Sequence, residues 1–463
     1  MAALTRHVAL VGFMGAGKTT VAQALGLPFA AVDASIERDA GRTIPELFEQ
    51  EGEQGFRARE AELVERLLAS PQPLLLDLGG GAVTTPRVRA LLREHATVVW
   101  LDTDVETCWQ RVAGTGRPLA QDEAEFRRLY DERRPLYADA ADVVARDEHD
   151  VALAAAGVHV QDGALARLGE LVPGSGAVEL VSDPNVAGIH GMDAQLALGA
   201  RLTAAHQLPA GEEAKTLTVL DRLWQALRLD RAGTLVALGG GCTTDAAGFA
   251  AATYLRGIAW VPVPTSLVAQ VDAAIGGKTA IDLPQGKNLV GAFHWPARTI
   301  VDPTLLQTLP DKERREGMAE VVKTSLLAGE NFHDPLDVRR CAAFKAAICL
   351  RDPHDRGERK RLNLGHTFAH ALEAAGGYET VTHGQAVALG LKAALELSGE
   401  DASIVDDLLR PKPVRVDRER AWNALLRDKK HEAGELRLVT LHEWDVSFPA
   451  ADVRAALDRL IAG

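Results

Sequence analysis

The chain has 463 residues, which is too long for one ordinary hydrophobic core and predicts roughly two to four domains. Apolar residues make up 47% and charged residues 25% of the sequence, as in soluble globular proteins, and no apolar run approaches the roughly 18–20 residues that span a bilayer. The formal charge of −13 excludes the basic excess typical of nucleic-acid binders, so anionic ligands must be held by local basic residues. The cysteines Cys108, Cys242, Cys341 and Cys349 form no C-x-x-C pair. We therefore expect free thiols in a cytoplasmic protein with neither membrane nor nucleic-acid partners.

The first part of the chain alternates short apolar runs with helical patterns. Three apolar runs predict buried strands: His7–Val11, Leu74–Asp77 and Val98–Leu101. Residues 18–25 predict a helix, the strand pattern ends near Val143–Val144, and residues 151–156 again have helical composition. Strands alternating with helices predict a parallel sheet covered by helices on both faces. We expect this domain to occupy residues 1–156.

A phosphate-binding motif lies between the first predicted strand and the first predicted helix. Residues 12–19 read GFMGAGKT and match G-x-x-x-x-G-K-[ST]. The glycines let backbone N–H groups point at phosphate oxygens, Lys18 can reach the β- and γ-phosphates, and Thr19 offers a hydroxyl to Mg²⁺. The motif predicts a nucleoside triphosphate site formed by Gly12, Gly15, Gly17, Lys18, Thr19 and Thr20.

The second part of the chain begins around Gly157, without a Gly/Ser-rich or Pro-rich linker. Strands predicted at Ala177–Val181, Thr234–Leu238 and Trp260–Val263 alternate with helices. After about residue 302 the strand signal fades until Glu435–Leu441. This pattern predicts a Rossmann-like α/β subdomain over residues 157–301 and a mainly α-helical subdomain over residues 302–463.

Two features of the second part indicate bound cofactors. Residues 239–245, GGGCTTD, follow a predicted buried strand, as dinucleotide sites do, although they lack the G-x-G-x-x-G spacing. Glu320, His366, His370 and His383 are candidate metal ligands. His366 and His370 fall on one helical face, so either could be a ligand. Two imidazoles and one carboxylate with an open position describe a catalytic zinc-type site.

Basic residues recur in apolar or glycine-rich stretches of this acidic chain: Arg256, Lys278, Lys287, Lys323, Lys345, Arg359, Lys429 and Lys430. Such residues indicate phosphate and carboxylate binding, and solvated surface charge is the alternative. We expect some of them to bind an anionic substrate.

Six ordered segments make the first 150 residues resemble shikimate kinases: residues 12–20 (GFMGAGKTT), 33–37 (DASIE), 52–60 (GEQGFRARE), 78–83 (LGGGAV), 117–119 (RPL) and 132–137 (ERRPLY). The resemblance implies that Asp33 positions the attacking hydroxyl of shikimate and that Arg57 and Arg133 clamp its carboxylate. Shikimate would also lie against the backbone of Gly79, Gly80 and Gly81. Arg117, on a lid, would stabilise the phosphoryl group that is transferred from Mg-ATP.

The first part departs from the shikimate kinase pattern in three places. The helix after the phosphate-binding loop is about four residues short, roughly one turn, and the lid between Arg117 and Arg133 is also short. Ala31 stands where the family has an acidic residue that helps to hold Mg²⁺ through water. Asp77 ends an apolar strand, as a Walker B aspartate does, and we hypothesise that it takes over part of this role. The alternative is that Asp77 only caps the strand.

From about Val158 to the C-terminus, the sequence resembles 3-dehydroquinate synthases through residues 239–258, 263–282, 286–293, 317–323, 362–373, 383–390 and 427–430. The resemblance implies a zinc or cobalt site at Glu320, His366 and His383, with His370 near the substrate. It implies that NAD binds to Asp183, Asn185, Glu212, Lys215, Gly240, Gly241, Asp245, Thr265 and Lys287. The implied substrate contacts are Arg256, Asp272, Lys278, Asn288, Lys323, Lys345, Arg359, Asn363, His370 and one of Lys429 and Lys430.

The combined resemblance predicts two activities of aromatic amino-acid biosynthesis. In the synthase reaction, NAD⁺ oxidises a ring hydroxyl of 3-deoxy-D-arabino-heptulosonate 7-phosphate, phosphate is eliminated, and NADH returns the hydride before the ring opens and recloses as 3-dehydroquinate. In the kinase reaction, ATP converts shikimate into shikimate 3-phosphate. A homodimer through the synthase part is expected. Three alternatives remain: a kinase module that is inactive or altered in specificity, a metal-dependent polyol dehydrogenase in the second part, and a non-enzymatic scaffold.

Overall fold

The structure is a computed structural model that describes residues 4–115, 118–377, 380–428, 431–432 and 434–462. The chain divides into two compact units, Met1–Ala156 and Gly157–Gly463. Each unit is an α/β structure built around its own parallel sheet. The α/β fold predicted for both parts of the chain is therefore confirmed.

The first unit alternates strands and helices in the order β1 (His7–Val11), α1 (Lys18–Ala24), β2 (Phe29–Ala31), α2 (Val32–Ala40), α3 (Ile44–Leu68), β3 (Leu75–Asp77), α4 (Pro86–His95), β4 (Ala96–Leu101), α5 (Val105–Val112), α6 (Glu123–Ala140), β5 (Val143–Ala145) and α7 (Glu148–Ala155). The five strands form a parallel sheet in the order β2-β3-β1-β4-β5. Every residue of β1 is buried, which explains the apolar run from Val8 to Val11.

The carboxyl ends of β1, β2 and β3 lie at one edge of this sheet. Leu10 of β1 and Ala31 of β2 are both in register with Asp77 of β3. The phosphate-binding motif leaves β1 at this edge, which is where open α/β sheets bind their ligands.

The second unit contains β6 (Val158–Val160), α8 (Leu168–Leu171), β7 (Val178–Ser182), α9 (Pro184–Val186), α10 (Met192–Leu198), β8 (Leu202–Gln207), α11 (Leu217–Ala226), β9 (Thr234–Gly239), α12 (Gly241–Thr253), β10 (Ala259–Pro264), β11 (Lys278–Leu283), β12 (Gly286–Phe293), β13 (Thr299–Val301), α13 (Asp311–Ala328), α14 (Val338–Arg351), α15 (His366–Ala375), α16 (His383–Ser398), α17 (Ser403–Leu409), α18 (Arg418–Asp428), β14 (His431–Glu432), β15 (Glu435–Leu438), β16 (Val446–Pro449) and α19 (Ala450–Arg459).

A four-stranded parallel sheet in the order β10-β9-β7-β8 forms the Rossmann-like part of this unit. Strand β9 is buried throughout, and α12 begins two residues after it ends, so Gly240 lies at the carboxyl edge of the sheet. Strands β11 and β12 form an antiparallel hairpin, and β6 pairs in parallel with β13.

Helices α13 to α19 pack around an apolar cluster that includes Val322, Phe368 and Leu391. The strand predicted at Glu435–Leu441 ends at Leu438 and lies between β14 and β16 in a small antiparallel sheet. In the part of the chain that the structure describes, no helix is both long and apolar enough to cross a membrane.

Candidate active sites

The phosphate-binding loop of the first unit connects β1 to α1. Gly15 has a φ of 81°, and a Cβ atom there would lie 2.5 Å from a backbone oxygen of α5, so only glycine fits. The buried Lys18 ammonium lies over the loop and donates to two loop carbonyl oxygens at 2.9 and 3.2 Å. Thr19 Oγ1 donates to Asp77 Oδ2 at 2.5 Å, and Thr20 is exposed in the same turn. The loop therefore presents its lysine and its hydroxyl as the motif predicts.

The residues predicted to hold shikimate gather around the three glycines that follow β3, Gly79–Gly81. A Cβ atom on Gly79 would lie 2.5 Å from Asp33 Oδ1, and one on Gly81 would lie 1.9 Å from Arg57 Nη2. Arg133 Nη1 donates to the carbonyl oxygen of Gly80 at 3.2 Å. A Cβ atom at either position would displace a site side chain, so Gly79 and Gly81 leave room for Asp33 and Arg57 in their present positions.

Two guanidinium groups and a buried carboxylate set the charge of this pocket. Glu60 is fully buried, and Arg57 Nη1 donates to Glu60 Oε2 at 2.7 Å. Burial raises the pKa of Glu60, and burial lowers the pKa of Arg133. Among the described residues, the Nε atoms of Arg57 and Arg133 have no hydrogen-bond partner. Buried guanidinium donors of this kind fit a ligand carboxylate.

Two further side chains of the first unit touch these loops. Arg111 on α5 donates from Nη1 to the carbonyl oxygen of Gly15 at 3.1 Å, and the Tyr137 hydroxyl donates to the carbonyl oxygen of Gly80. A single arginine on an exposed helix gives no sequence signal, so the position of Arg111 could not be predicted. Arg117 lies outside the described residues, and its role on the lid stays a prediction.

The second unit has a cavity of about 1150 Å³ at the carboxyl edge of its parallel sheet. This volume lies just above the range of about 300–1,000 Å³ that is usual for small-ligand pockets, so the cavity has room for a large ligand. Asp183 Oδ1 accepts hydrogen bonds from the backbone N–H groups of Asn185 and Val186 at 3.0 and 3.2 Å, which fixes the chain after β7. The cavity is lined by all nine residues predicted to bind NAD: Asp183, Asn185, Glu212, Lys215, Gly240, Gly241, Asp245, Thr265 and Lys287.

Lys215 lies at the centre of a buried ionic cluster beside this cavity. Its Nζ lies 3.0 Å from Asp245 Oδ2 and 3.8 Å from both Glu212 Oε2 and Asp282 Oδ1, and it donates to Asn288 Oδ1. Burial opposes the charge on Lys215, but Asp245 and Glu212 outweigh burial and raise its pKa. Burial raises the pKa of Asp245 to about 6. The cluster ties the β11–β12 hairpin to α12, so contact between Lys215 and NAD itself stays a prediction.

Glu320, His366 and His383 converge beside the cavity from three helices, α13, α15 and α16. Glu320 Oε1 lies 3.1 Å from His383 Nε2 and 3.4 Å from His366 Nε2, and the three possible ligand atoms all lie within 4.8 Å of one another. His370 is exposed one turn further along α15, lines the cavity and stays outside this group. One carboxylate oxygen and two imidazole nitrogens fit a divalent transition-metal ion.

Two carboxylates that sequence reasoning missed hold His383 and its helix in place. Glu373 Oε1 lies 3.4 Å from His383 Nδ1. Glu316 accepts hydrogen bonds from Thr382 Oγ1 at 2.8 Å and from the backbone N–H of Gly384 at 2.7 Å. Burial disfavours the charged form of His383, but its hydrogen bonds with Glu320 and Glu373 outweigh burial and raise its pKa to about 10. Partners of this kind orient a histidine ligand.

Two of the predicted substrate lysines lie beside the metal group. Lys323 Nζ lies 2.5 Å from Glu320 Oε2 and 3.6 Å from Asp272 Oδ1, and Lys345 Nζ lies 2.8 Å from Asp272 Oδ1. Lys323 and Lys345 are 1% and 8% exposed, which excludes solvated surface charge for both. Burial would raise the pKa of Asp272, but the two lysines outweigh it and lower the pKa to about 2. Asp272 therefore holds two cations in one place.

The other predicted substrate residues are more dispersed, and Lys429 and Lys430 lie outside the described residues. Arg359 is buried and donates to two loop carbonyl oxygens at 2.9 and 3.1 Å. Lys278 is half exposed and lies 2.5 Å from Asp355 Oδ2. Asn363 is half-buried in the turn before α15. Arg256 is exposed in a turn with a φ of 68° and is not among the described residues that line the cavity.

Three family models match successive parts of the chain. Residues 14–161 match shikimate kinase, residues 205–316 match the N-terminal part of 3-dehydroquinate synthase, and residues 317–431 match its C-terminal part. These matches assign the two parts of the chain to the shikimate kinase and 3-dehydroquinate synthase families, and they favour neither a non-enzymatic scaffold nor a simple polyol dehydrogenase.

Individual relatives support the same assignment. The second unit is similar to a crystal structure of 2-deoxy-scyllo-inosose synthase in complex with carbaglucose-6-phosphate, NAD⁺ and Co²⁺. The TM-score is 0.58, the sequence identity is 24%, and the match covers 65% of this chain and 96% of that one. This similarity supports the fold alone. A 3-dehydroquinate synthase from Bordetella pertussis is 39% identical and covers 65% of this chain and 95% of that protein. A bifunctional shikimate kinase/3-dehydroquinate synthase from Thermotoga maritima is 33% identical and covers 92% of this chain and 93% of that protein. This chain therefore belongs to the bifunctional shikimate kinase/3-dehydroquinate synthase family and carries both enzymes.

Proposed function

We propose that the second unit, hereafter the synthase unit, converts 3-deoxy-D-arabino-heptulosonate 7-phosphate into 3-dehydroquinate and phosphate. NAD is reduced and reoxidised within each turnover. The first unit, hereafter the kinase unit, transfers the γ-phosphoryl group of Mg-ATP to shikimate. The observation that carries the synthase proposal is the convergence of Glu320, His366 and His383 beside a cavity lined by the nine residues predicted for NAD.

The synthase site combines a metal group with fixed positive charge. A bound zinc or cobalt ion supplies polarisation of a substrate hydroxyl, and bound NAD⁺ accepts a hydride and returns it. Lys323 and Lys345 supply positive charge for an anionic substrate, and Asp272 keeps both ammonium groups in place. His370 is exposed to the cavity one turn after His366, where it can bind the phosphate group that leaves.

The kinase site divides into a phosphate side and a shikimate side. Lys18 and Thr19 face the phosphate side, where magnesium bound with ATP neutralises phosphate charge. On the shikimate side, Asp33 can accept a hydrogen bond from the attacking hydroxyl. Arg57 and Arg133 offer their Nε donors to the carboxylate.

The synthase reaction is tested with the purified chain, the heptulosonate phosphate, NAD⁺ and Zn²⁺ or Co²⁺. Phosphate release and NADH absorbance are followed in the same cuvette. We expect phosphate release without net NADH, because the hydride returns to the substrate. Accumulation of NADH without phosphate would contradict the synthase reaction and support polyol oxidation.

The kinase reaction is tested with Mg-ATP and shikimate. We expect ADP to form only when shikimate is present, and we expect Arg57→Ala to raise the KM for shikimate. Arg59→Ala is the matched control, because Arg59 lies on the same helix, is 45% exposed and pairs with Glu51. ADP formation that is absent or independent of shikimate would support the alternative of an inactive or altered kinase module.

We also propose that residues 157–301 bind NAD, that residues 302–463 bind the metal and substrate, and that the synthase unit forms a homodimer in the cytoplasm. The NAD residues belong to the α/β part of the unit, and the metal group is built by α13, α15 and α16. The dimer rests on the resemblance to 3-dehydroquinate synthases. Sedimentation equilibrium should give twice the chain mass of 49.5 kDa, and a mass of one chain at micromolar concentration would contradict a dimer.

A further inference from the structure

The kinase unit has a buried carboxylate next to its phosphate-binding loop that shikimate recognition does not use. Asp77 ends β3 and is 7% exposed. Its Oδ2 accepts a hydrogen bond from Thr19 Oγ1 at 2.5 Å. Thr19 directly follows the loop lysine, and its hydroxyl is the group that the motif assigns to Mg²⁺. The carboxylate and a metal-binding hydroxyl are therefore in direct contact.

The strand register explains why this carboxylate reaches the loop. Asp77 lies opposite Leu10 of β1 and opposite Ala31 of β2. Leu10 is two residues before Gly12, where the loop begins. The methyl group of Ala31 offers no oxygen at its own strand end. Asp77 is therefore the acidic residue that these three strands present to Thr19.

We propose that Asp77 is a magnesium-site residue of the kinase, which orients Thr19 and contributes the negative charge that holds the Mg²⁺ of Mg-ATP. This inference rests on the proposed kinase function. In phosphate-loop NTPases, a loop Ser or Thr and a strand-end aspartate hold the ion together. Mg²⁺ also keeps several water ligands, and these waters can donate hydrogen bonds to a neighbouring carboxylate. An aspartate that only capped its strand would need backbone N–H partners, whereas the partner that the structure shows is the Thr19 hydroxyl.

The test compares ADP binding by the full-length chain in saturating Mg²⁺ and in EDTA, measured by isothermal titration calorimetry. The variant is Asp77→Asn, which removes the charge and keeps a hydrogen-bond acceptor for Thr19. The matched control is Asp139→Asn, because Asp139 is an exposed carboxylate of the same unit that pairs with Arg93. For each protein, the ratio of the ADP affinity in Mg²⁺ to the ADP affinity in EDTA measures the contribution of the metal. This measurement does not depend on catalytic turnover.

We expect Mg²⁺ to strengthen ADP binding in the wild type and in Asp139→Asn. In Asp77→Asn this strengthening falls by about tenfold or more, while ADP affinity in EDTA is unchanged or higher, because the aspartate charge repels phosphate. Equal strengthening in the wild type and in Asp77→Asn would overturn the inference. Equal losses of ADP affinity with and without Mg²⁺ would also overturn it, because they indicate a purely structural role. A wild type that binds no ADP at all would instead refute the kinase function on which the inference rests.

Discussion

Two members of the metal group, Glu320 and His383, are each supported by neighbouring residues. Burial opposes ionisation of Glu320, but Lys323 and His366 outweigh burial and keep the pKa of Glu320 well below its usual value. His383 has Glu373 on the far side of its ring, at 3.4 Å from Nδ1. An ionised carboxylate and an imidazole with a fixed orientation are the forms that bind a divalent cation.

Glu373→Gln should weaken metal binding by the synthase unit about 10- to 100-fold, because the amide cannot fix the imidazole of His383 as a carboxylate does. Metal affinity is measured by competition with a chromophoric chelator. Glu396→Gln is the control, since Glu396 is an exposed carboxylate on α16. Equal metal affinity in Glu373→Gln and in the wild type would show that Glu373 does not position His383.

Motif residues could be predicted from the sequence, whereas the residues that support them could not. Gly15 and Lys18 belong to a phosphate-binding motif of consecutive residues. The backbone of those residues alone determines the loop geometry. Glu373, Glu316 and Glu60 are glutamates on helices, and such residues are ordinarily solvated. Glu60 and Glu373 lie inside segments that carry the family resemblances, but only the packing of other elements against these glutamates shows which residue each one supports.

The contact between α13 and α16 sets the position of His383. Glu316 of α13 binds the first turn of α16 through Thr382 and Gly384. A Cβ atom on Gly384 would lie 2.4 Å from the carbonyl oxygen of Glu316. The two helices can therefore approach this closely only when residue 384 is a glycine.

Gly384→Ala should separate α13 from α16, lower the stability of the synthase unit by about 1–3 kcal/mol and weaken its metal affinity. Gly188→Ala is the control, because a Cβ atom on Gly188 would meet open space. Thermal unfolding and chelator competition measure the two effects. Wild-type values of both quantities in Gly384→Ala would contradict this account of the helix contact.

The central strands β1 and β9 could be predicted from the sequence, whereas β2, β8 and the β11–β12 hairpin could not. β1 and β9 are buried throughout, and after their first residues, His7 and Thr234, their sequences have no polar side chain. β2 has only three half-buried residues, and β8 alternates between half-buried and exposed positions. Every residue of β12 is exposed or half-buried, so its sequence lacks the apolar pattern that would predict the β11–β12 hairpin. Strands in small antiparallel sheets are stabilised by the strands they pair with. The sequence of one short segment does not identify those partners.

At the scale of the whole molecule, two enzymes occupy two compact units that meet in sequence at Ala156 and Gly157. Each unit has its own parallel sheet and its own buried strands. The phosphate-binding loop and the shikimate residues belong to the kinase unit, and the cavity and the metal group belong to the synthase unit.

Residues 1–156 and residues 157–463, expressed as separate chains, should each keep their own activity, because each carries a complete set of predicted site residues. Shikimate-dependent ADP formation is measured for the first chain and phosphate release for the second. A pair of fragments that both fold cooperatively but lose activity when separated would contradict this independence.

The most direct test of the metal centre is a Co²⁺ titration of chelator-treated full-length protein, followed by visible absorption. The wild type and His370→Ala should each bind one Co²⁺ per chain with ligand-field bands, because His370 lies outside the ligand group. Glu320→Gln and His383→Ala should lose these bands, while their shikimate-dependent ADP formation stays at the wild-type level. Unchanged cobalt binding in Glu320→Gln and His383→Ala would contradict a metal centre at these residues.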